Sequence, residues 1–276
     1  MSAQNPGDVE VARIRSSAFG SLARASEHFG KGVLALFVAL VISLLGAYVI
    51  GVAMGSAFNQ AMQTVQSMEE SGLYLTPSQV QQIVEQNMKE AYGVAGFITL
   101  LLLTTVYYVG KYVARGARLA WRGFSRLEGI NAAPYSVEAR LGAITFIIGS
   151  LMVGVTLMIA LWGGILFGEI LLSGNAYSAQ EFLITMVSST HWFTVTSWVV
   201  LVLGGVITAY AFLRCAGICG VSQAKGGAVA SIVGFLLILF SLFLSSVILP
   251  VALKVIGLIV ALVGFHKAGG GYLLME

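Results

Sequence analysis

Long apolar runs alternate with short polar gaps in this chain, and the basic residues fall on every second gap. With the runs taken as membrane spans and the N-terminus inside, the inner side holds Arg13, Arg15, Arg24, Lys31, Lys111, Arg115, Arg118, Arg122, Arg126, Arg140, Arg214, Lys225 and Lys267. The outer side holds only Lys89 and Lys254. A thirteen-to-two split is the positive-inside pattern, which sets an orientation as well as a class. Composition agrees. Of 276 residues, 58% are hydrophobic and 10% charged, against about 25% charged in a soluble domain. Lipid is the solvent that such a surface demands. The net charge of +3 reflects inner loops near anionic headgroups and excludes a nucleic-acid surface.

The first 30 residues contain no short apolar run ending in a small-residue cleavage site, so span one is expected to act as an uncleaved anchor. Residues 1–31 read as a cytoplasmic tail and an amphipathic helix lying on the inner membrane surface. In that helix Val11, Ile14, Ala18, Leu22, Ala25 and Phe29 form one apolar stripe. Residues 32–276 read as the transmembrane helical domain. Span one is about 32–57. The outer segment, 58–92, has a helix start at Thr76-Pro77-Ser78-Gln79, with Thr as cap and Gln three residues later.

Span two, about 93–112, continues into a basic cytoplasmic helix over 111–128. There Lys111, Arg115, Arg118, Arg122 and Arg126 recur every three or four residues, on one stripe less than about 90° wide. Val113, Ala117, Ala120, Phe124 and Leu127 lie opposite. The bland reading of this stripe is a stop-transfer helix; the sharper one is a docking face for anionic lipid or an acidic partner. A loop around Asn131 and Pro134 leads to span three, about 141–172. Residues 173–190 are expected outside, and span four is about 192–213. Span five is about 228–249, and Pro250 should end it. Span six, 251–265, is short enough to be re-entrant, and Gly269-Gly270-Gly271 should form a bend.

Candidate sites are sparse. Gly51 with Gly55, and Gly164 with Gly168, form two GxxxG motifs that permit close helix approach. Glu169 is the acid nearest a membrane interior, and Lys254 falls at similar outer depth, so a transport role or an ion pair between them is the expectation. Thr194, Thr196 and Ser197, with Ser241, Ser245 and Ser246, could line a polar path, although such side chains more often bond their own helix. Cys215 and Cys219 read as small helix residues, and no His or acid nearby completes a metal site. His28, His191 and His266 sit at span ends; the first and last could face each other as haem ligands, but interfacial histidines are the plainer reading. No nucleophile motif, phosphate loop or dinucleotide fingerprint is present. No cofactor or metal is expected.

The stretch Val11-Ala-Arg-Ile-Arg-Ser-Ser-Ala-Phe-Gly20 resembles the opening of a family of archaeal multi-pass membrane proteins. So does the closing pattern, Leu203-Gly-Gly-Val-Ile-Thr-Ala-Tyr-Ala-Phe-Leu-Arg214 followed by Val255-Ile-Gly-Leu-Ile-Val-Ala-Leu-Val-Gly264. The resemblance covers the two ends and implies an archaeal plasma membrane; it brings no activity.

The sequence thus predicts an all-α polytopic bundle of about six spans with both termini cytoplasmic. Five spans and a re-entrant hairpin is the alternative. The function expected is a non-catalytic structural or accessory subunit of a membrane assembly, contacting anionic lipids and other subunits or copies of itself. A small-solute transporter or channel is the alternative, and an intramembrane enzyme or redox subunit a third.

Overall fold

The structure is a computed structural model that describes residues 6–130, 136–172, 176–244 and 248–275. The described residues form six helices: α1 (Pro6–Glu70), α2 (Pro77–Gly129), α3 (Ser136–Leu172), α4 (Ala176–Ile218), α5 (Ser222–Ser241) and α6 (Ile248–Leu273). All six are long and apolar enough to cross a membrane, and no described residue lies in a strand. The protein is an all-α polytopic helix bundle. With 26 residues, α6 exceeds the ~20 that one crossing needs, so no re-entrant hairpin is required.

Helix ends follow local chemistry. Gly72 and Gly220 take left-handed backbone, with φ of 84° and 73°. The amide after each reaches back five residues, Leu73 N to Met68 O and Val221 N to Ala216 O. These are glycine-terminated helix ends that only an unsubstituted residue adopts cheaply. The expected start of α2 is present: the Gln79 side chain accepts from the Thr76 amide at 2.8 Å, and Pro77 opens the helix.

Several expected boundaries are corrected. Pro250 does not break a run; α5 ends earlier, at Ser241, and Pro250 sits in the first turn of α6, where its missing N–H costs nothing. The bend at Gly269–Gly271 is absent because α6 stays helical to Leu273. Within residues 173–190, expected outside, the chain is helical from Ala176 onward, so α4 begins well before the expected start of span four at 192. The N-terminal amphipathic helix is not separate from span one, since α1 is unbroken. The later part of its apolar stripe packs inside the protein, with Ala18, Leu22, Ala25 and Phe29 fully buried, while Val11 is exposed and Ile14 half-buried.

The chain forms two compact units. Unit 1 comprises Met1–Val38, Thr105–Gly154 and Thr194–Glu276. Its core is aromatic: Phe29 lies among Phe146, Phe212 and Phe265, at ring separations of 5.7–6.2 Å. Two buried hydroxyls tie helices together, Ser26 donating to Phe265 O at 2.6 Å and Tyr272 donating to Phe212 O at 2.8 Å.

Glycine seams hold the helices of unit 1 in antiparallel pairs. Between α5 and α6, Gly227 meets Ala268, Ser231 meets Gly264, Gly234 meets Ala261, Ile238 meets Gly257 and Ala224 meets Gly271. Between α3 and α4, Gly142 meets Thr208, Phe146 meets Gly204 and Gly149 meets Leu201. Between α1 and α2, Gly32 meets Val113, and Gly116 and Gly123 meet Phe29 and Leu22. On α2, α3, α5 and α6 these glycines stand seven residues apart, as in 116/123, 142/149, 227/234 and 257/264/271. Seven residues are two turns of a slightly underwound helix, the repeat of left-handed helix pairing. A small residue at each repeat lets backbones approach, which matters where lipid gives no hydrophobic drive to association. This packing explains why Gly269 and Gly271 remain helical: a Cβ on Gly269 would stand 3.1 Å from Ala23 O, and Gly271 lies on the Ala224 backbone.

Unit 2 comprises Ala39–Thr104 and Val155–Phe193. It is built from segments of α1, α2, α3 and α4 only. Its close approaches use side chains, Ile98 against Gly46 and Met186 against Gly163.

Candidate functional site

The two GxxxG motifs converge in unit 2. Gly51 and Gly55 of α1 face Gly164 and Gly168 of α3 across a cavity of about 280 Å³, which Met54, Leu161 and Phe167 also line. Among the described residues a Cβ added at Gly51, Gly55 or Gly164 would meet no atom of another helix within 4 Å, and one at Gly168 would meet only the Met54 side chain, at 3.2 Å. The close approach expected at these four glycines is therefore not made within the chain. The heptad-spaced glycines make it instead. Sequence reasoning passed over these glycines; the pattern that accompanies them is a glycine every seven residues with Ala or Ser between.

The basic stripe is divided. Its apolar face is buried, with Val113, Ala120, Phe124 and Leu127 at 2% exposure or less. Arg126 leaves the stripe functionally, because its guanidinium donates to the Ser17 carbonyl and hydroxyl on α1. Lys111 stands over the rings of Tyr108 and Tyr107, at 5.2 and 5.9 Å. Arg115, Arg118 and Arg122 are exposed, and no salt bridge among the described residues involves them. Nearby, Arg140 covers the Trp121 ring at 4.3 Å. Arg214 bonds Glu138 at 2.8 Å, joining α4 to the start of α3.

Lys254 lies within the first two turns of α6 and is half-buried. Its ammonium sits 5.1 Å from the ring of the buried Trp198. Ser197, beside that tryptophan, and Ser241 are also buried. Ser241 donates back to Ile238 O on its own helix, as span hydroxyls commonly do. Asn131, Pro134, Ser245 and Ser246 lie outside the described residues, as does the side chain of Glu169.

Cys215 is buried, while Cys219 is partly exposed in the turn after α4. A hydrogen bond from the Cys215 thiol favours the Cys219 thiolate. Burial opposes it and the Arg15 charge assists, leaving Cys219 pulled down to about 7. His28 stacks on Tyr112 at 6.2 Å. Among the described residues no group of three His, Cys, Asp or Glu side chains is placed to hold a metal ion.

Comparison with protein-family models, with curated proteins and with solved structures returns no match for this chain.

Proposed function

We propose that the protein is a structural or accessory subunit of a membrane assembly and that a transmembrane helix of another subunit occupies the groove of unit 2. One observation carries the reading: two GxxxG motifs, on α1 and α3, line a single apolar groove that this chain leaves empty. Small residues at four-residue spacing favour a helix as occupant, because they admit a backbone close enough for dispersion and weak Cα–H contacts. The seam glycines of unit 1, such as Gly149, Gly234 and Gly264, lie against the backbone of a neighbouring helix. In this reading both termini face the cytoplasm, as the basic-residue asymmetry and an even number of crossings favour. A prokaryotic plasma membrane is the proposed location, and an archaeal one if the resemblance of the chain ends holds.

The test is purification from native membranes in gentle detergent, with mass spectrometry of what co-purifies. Stoichiometric partner proteins lost from a Gly55→Leu, Gly168→Leu double variant support the reading. A lone chain, or partners retained by that variant, overturns it.

One observation favours a second reading, a small-solute transporter. Lys254 is an ionisable side chain on an apolar helix, held against a buried tryptophan, and such residues commonly mark substrate or ion paths. Solute flux in proteoliposomes that is abolished by Lys254→Met would favour it.

A further inference from the structure

The empty groove is apolar; a second cavity in the molecule is not. It measures about 450 Å³ and lies in unit 1 between α2 and α3. Val106, Gly110, Ala114 and Leu151 form its apolar floor. Lys111, Arg115 and Arg118 supply its charge and Tyr107 its edge. The four-residue steps from Val106 to Gly110 to Ala114 to Arg118 set floor and charge along one line of the helix.

We infer that this cleft binds one anionic phospholipid, its phosphate held by Arg115 and Arg118 and the upper part of an acyl chain lying on Val106, Gly110 and Leu151. Two observations and the chemistry of arginine converge. The guanidinium groups are exposed and have no carboxylate in any salt bridge among the described residues, so their charge is available. Arginine forks match phosphate oxygens in a bidentate way that a lone ammonium cannot. Lys111 is held over two tyrosine rings at the border between the cationic and apolar parts, which is where a headgroup meets its chains.

The floor argues for lipid against an acidic protein segment, whose carboxylates would satisfy the arginines while leaving the apolar part uncovered. Gly110 opens the floor: a Cβ there would meet only the Leu151 side chain, at 4.0 Å. Arg126, drawn to α1, and Arg122, which does not line the cleft, are outside the site. The inference rests on the placement of these helices in a bilayer and not on the partner-helix reading. A failed lipid assay and a failed co-purification are therefore separate results.

The test uses the full-length protein purified in detergent, titrated with dioleoyl phosphatidylglycerol or with dioleoyl phosphatidylcholine and followed by native mass spectrometry. The expected result is one retained phosphatidylglycerol. Its affinity should fall by roughly tenfold to thirtyfold in Arg115→Gln, Arg118→Gln, since each headgroup-proximal cation contributes about a factor of five. Gly110→Leu keeps every charge and fills the floor; it should weaken binding about tenfold. Arg122→Gln should change it less than threefold. Equal retention of phosphatidylcholine overturns the inference. So does competition by millimolar inorganic phosphate alone, which would mark a free-anion site. Wild-type affinity in Gly110→Leu also overturns it, because a bare cationic stripe would not sense the floor.

Discussion

The α5–α6 seam gives the sharpest test of the packing argument, through the substitution Gly234→Ala. A methyl group at this position would stand 2.5 Å from Ala261 N and Gly257 O and 2.9 Å from Ala261 Cα. All three are backbone atoms, so no side chain can rotate away. Relief requires the helices to part by about 1 Å to restore ordinary contact near 3.5 Å, and a gap of that size forfeits a quarter to a half of the dispersion at neighbouring contacts. The adjacent pairs, Ser231 with Gly264 and Ile238 with Gly257, are strained by the same movement. Overpacking of this kind costs about 1–3 kcal/mol, and a backbone clash belongs at the upper end.

Against this, alanine gains about 1 kcal/mol over glycine in helix propensity. The clash wins, and the net loss should be about 2 kcal/mol. Gly96→Ala is the control: the site lies inside α2 and a Cβ there meets nothing within 4 Å, so only the propensity gain remains. Reversible unfolding in mixed detergent micelles, read by tryptophan fluorescence, measures both. The seam argument fails if Gly234→Ala is as stable as the unaltered protein, or if Gly96→Ala loses as much.

Other outcomes follow from the same structure. Ser26→Ala removes a buried 2.6 Å hydrogen bond to Phe265 O and leaves that carbonyl short of a partner, so the same unfolding assay should show a loss of about 1 kcal/mol. The Arg214–Glu138 pair is 38% and 39% exposed, and a double-mutant cycle should return a coupling below about 1 kcal/mol. The Cys219 thiol, pulled down to about 7 chiefly by the Cys215 hydrogen bond, is deprotonated above that pH; iodoacetamide labelling should rise through pH 7 and level off above it. Cys215→Ala removes that donor and should move the midpoint upward. Tyr74→Cys, at a fully exposed site in the α1–α2 turn, should label with impermeant maleimide from outside intact cells, whereas Met275→Cys should label only after permeabilisation. The reverse pattern would invert the proposed orientation.

Much of the fold was legible in the chain. Spans register as runs of apolar residues whose transfer into lipid is additive and local, so the six helices appear without any knowledge of their neighbours. The cap at Thr76 and Gln79 was readable for the same reason, since its hydrogen bond closes within one turn. What failed were judgements made from glycine and proline alone. Glycine at 269–271 lowers helix propensity by about 1 kcal/mol per residue, yet Ala23 and Ala224 pack against that turn and hold it helical. Pro250 was read as a stop although it is equally fit for a first turn. In the basic stripe the spacing was right, but only the neighbouring helix shows that Arg126 turns to Ser17 while Arg115 and Arg118 face a cleft.

By itself the sequence pointed to lipid as the solvent, to about six spans with five and a re-entrant hairpin left open, and to the side favoured by charge, because each depends on the free energy of single residues at a given depth. The tertiary structure alone decided which glycines close and which stay open. Gly51, Gly55 and Gly164 follow the better-known packing spacing, yet among the described residues a Cβ there would meet no other helix within 4 Å, while glycines seven residues apart lie in the seams of three helix pairs. A glycine offers no attraction of its own. It only removes an obstacle, and whether a backbone then arrives depends on the register of a second helix, which no local pattern encodes.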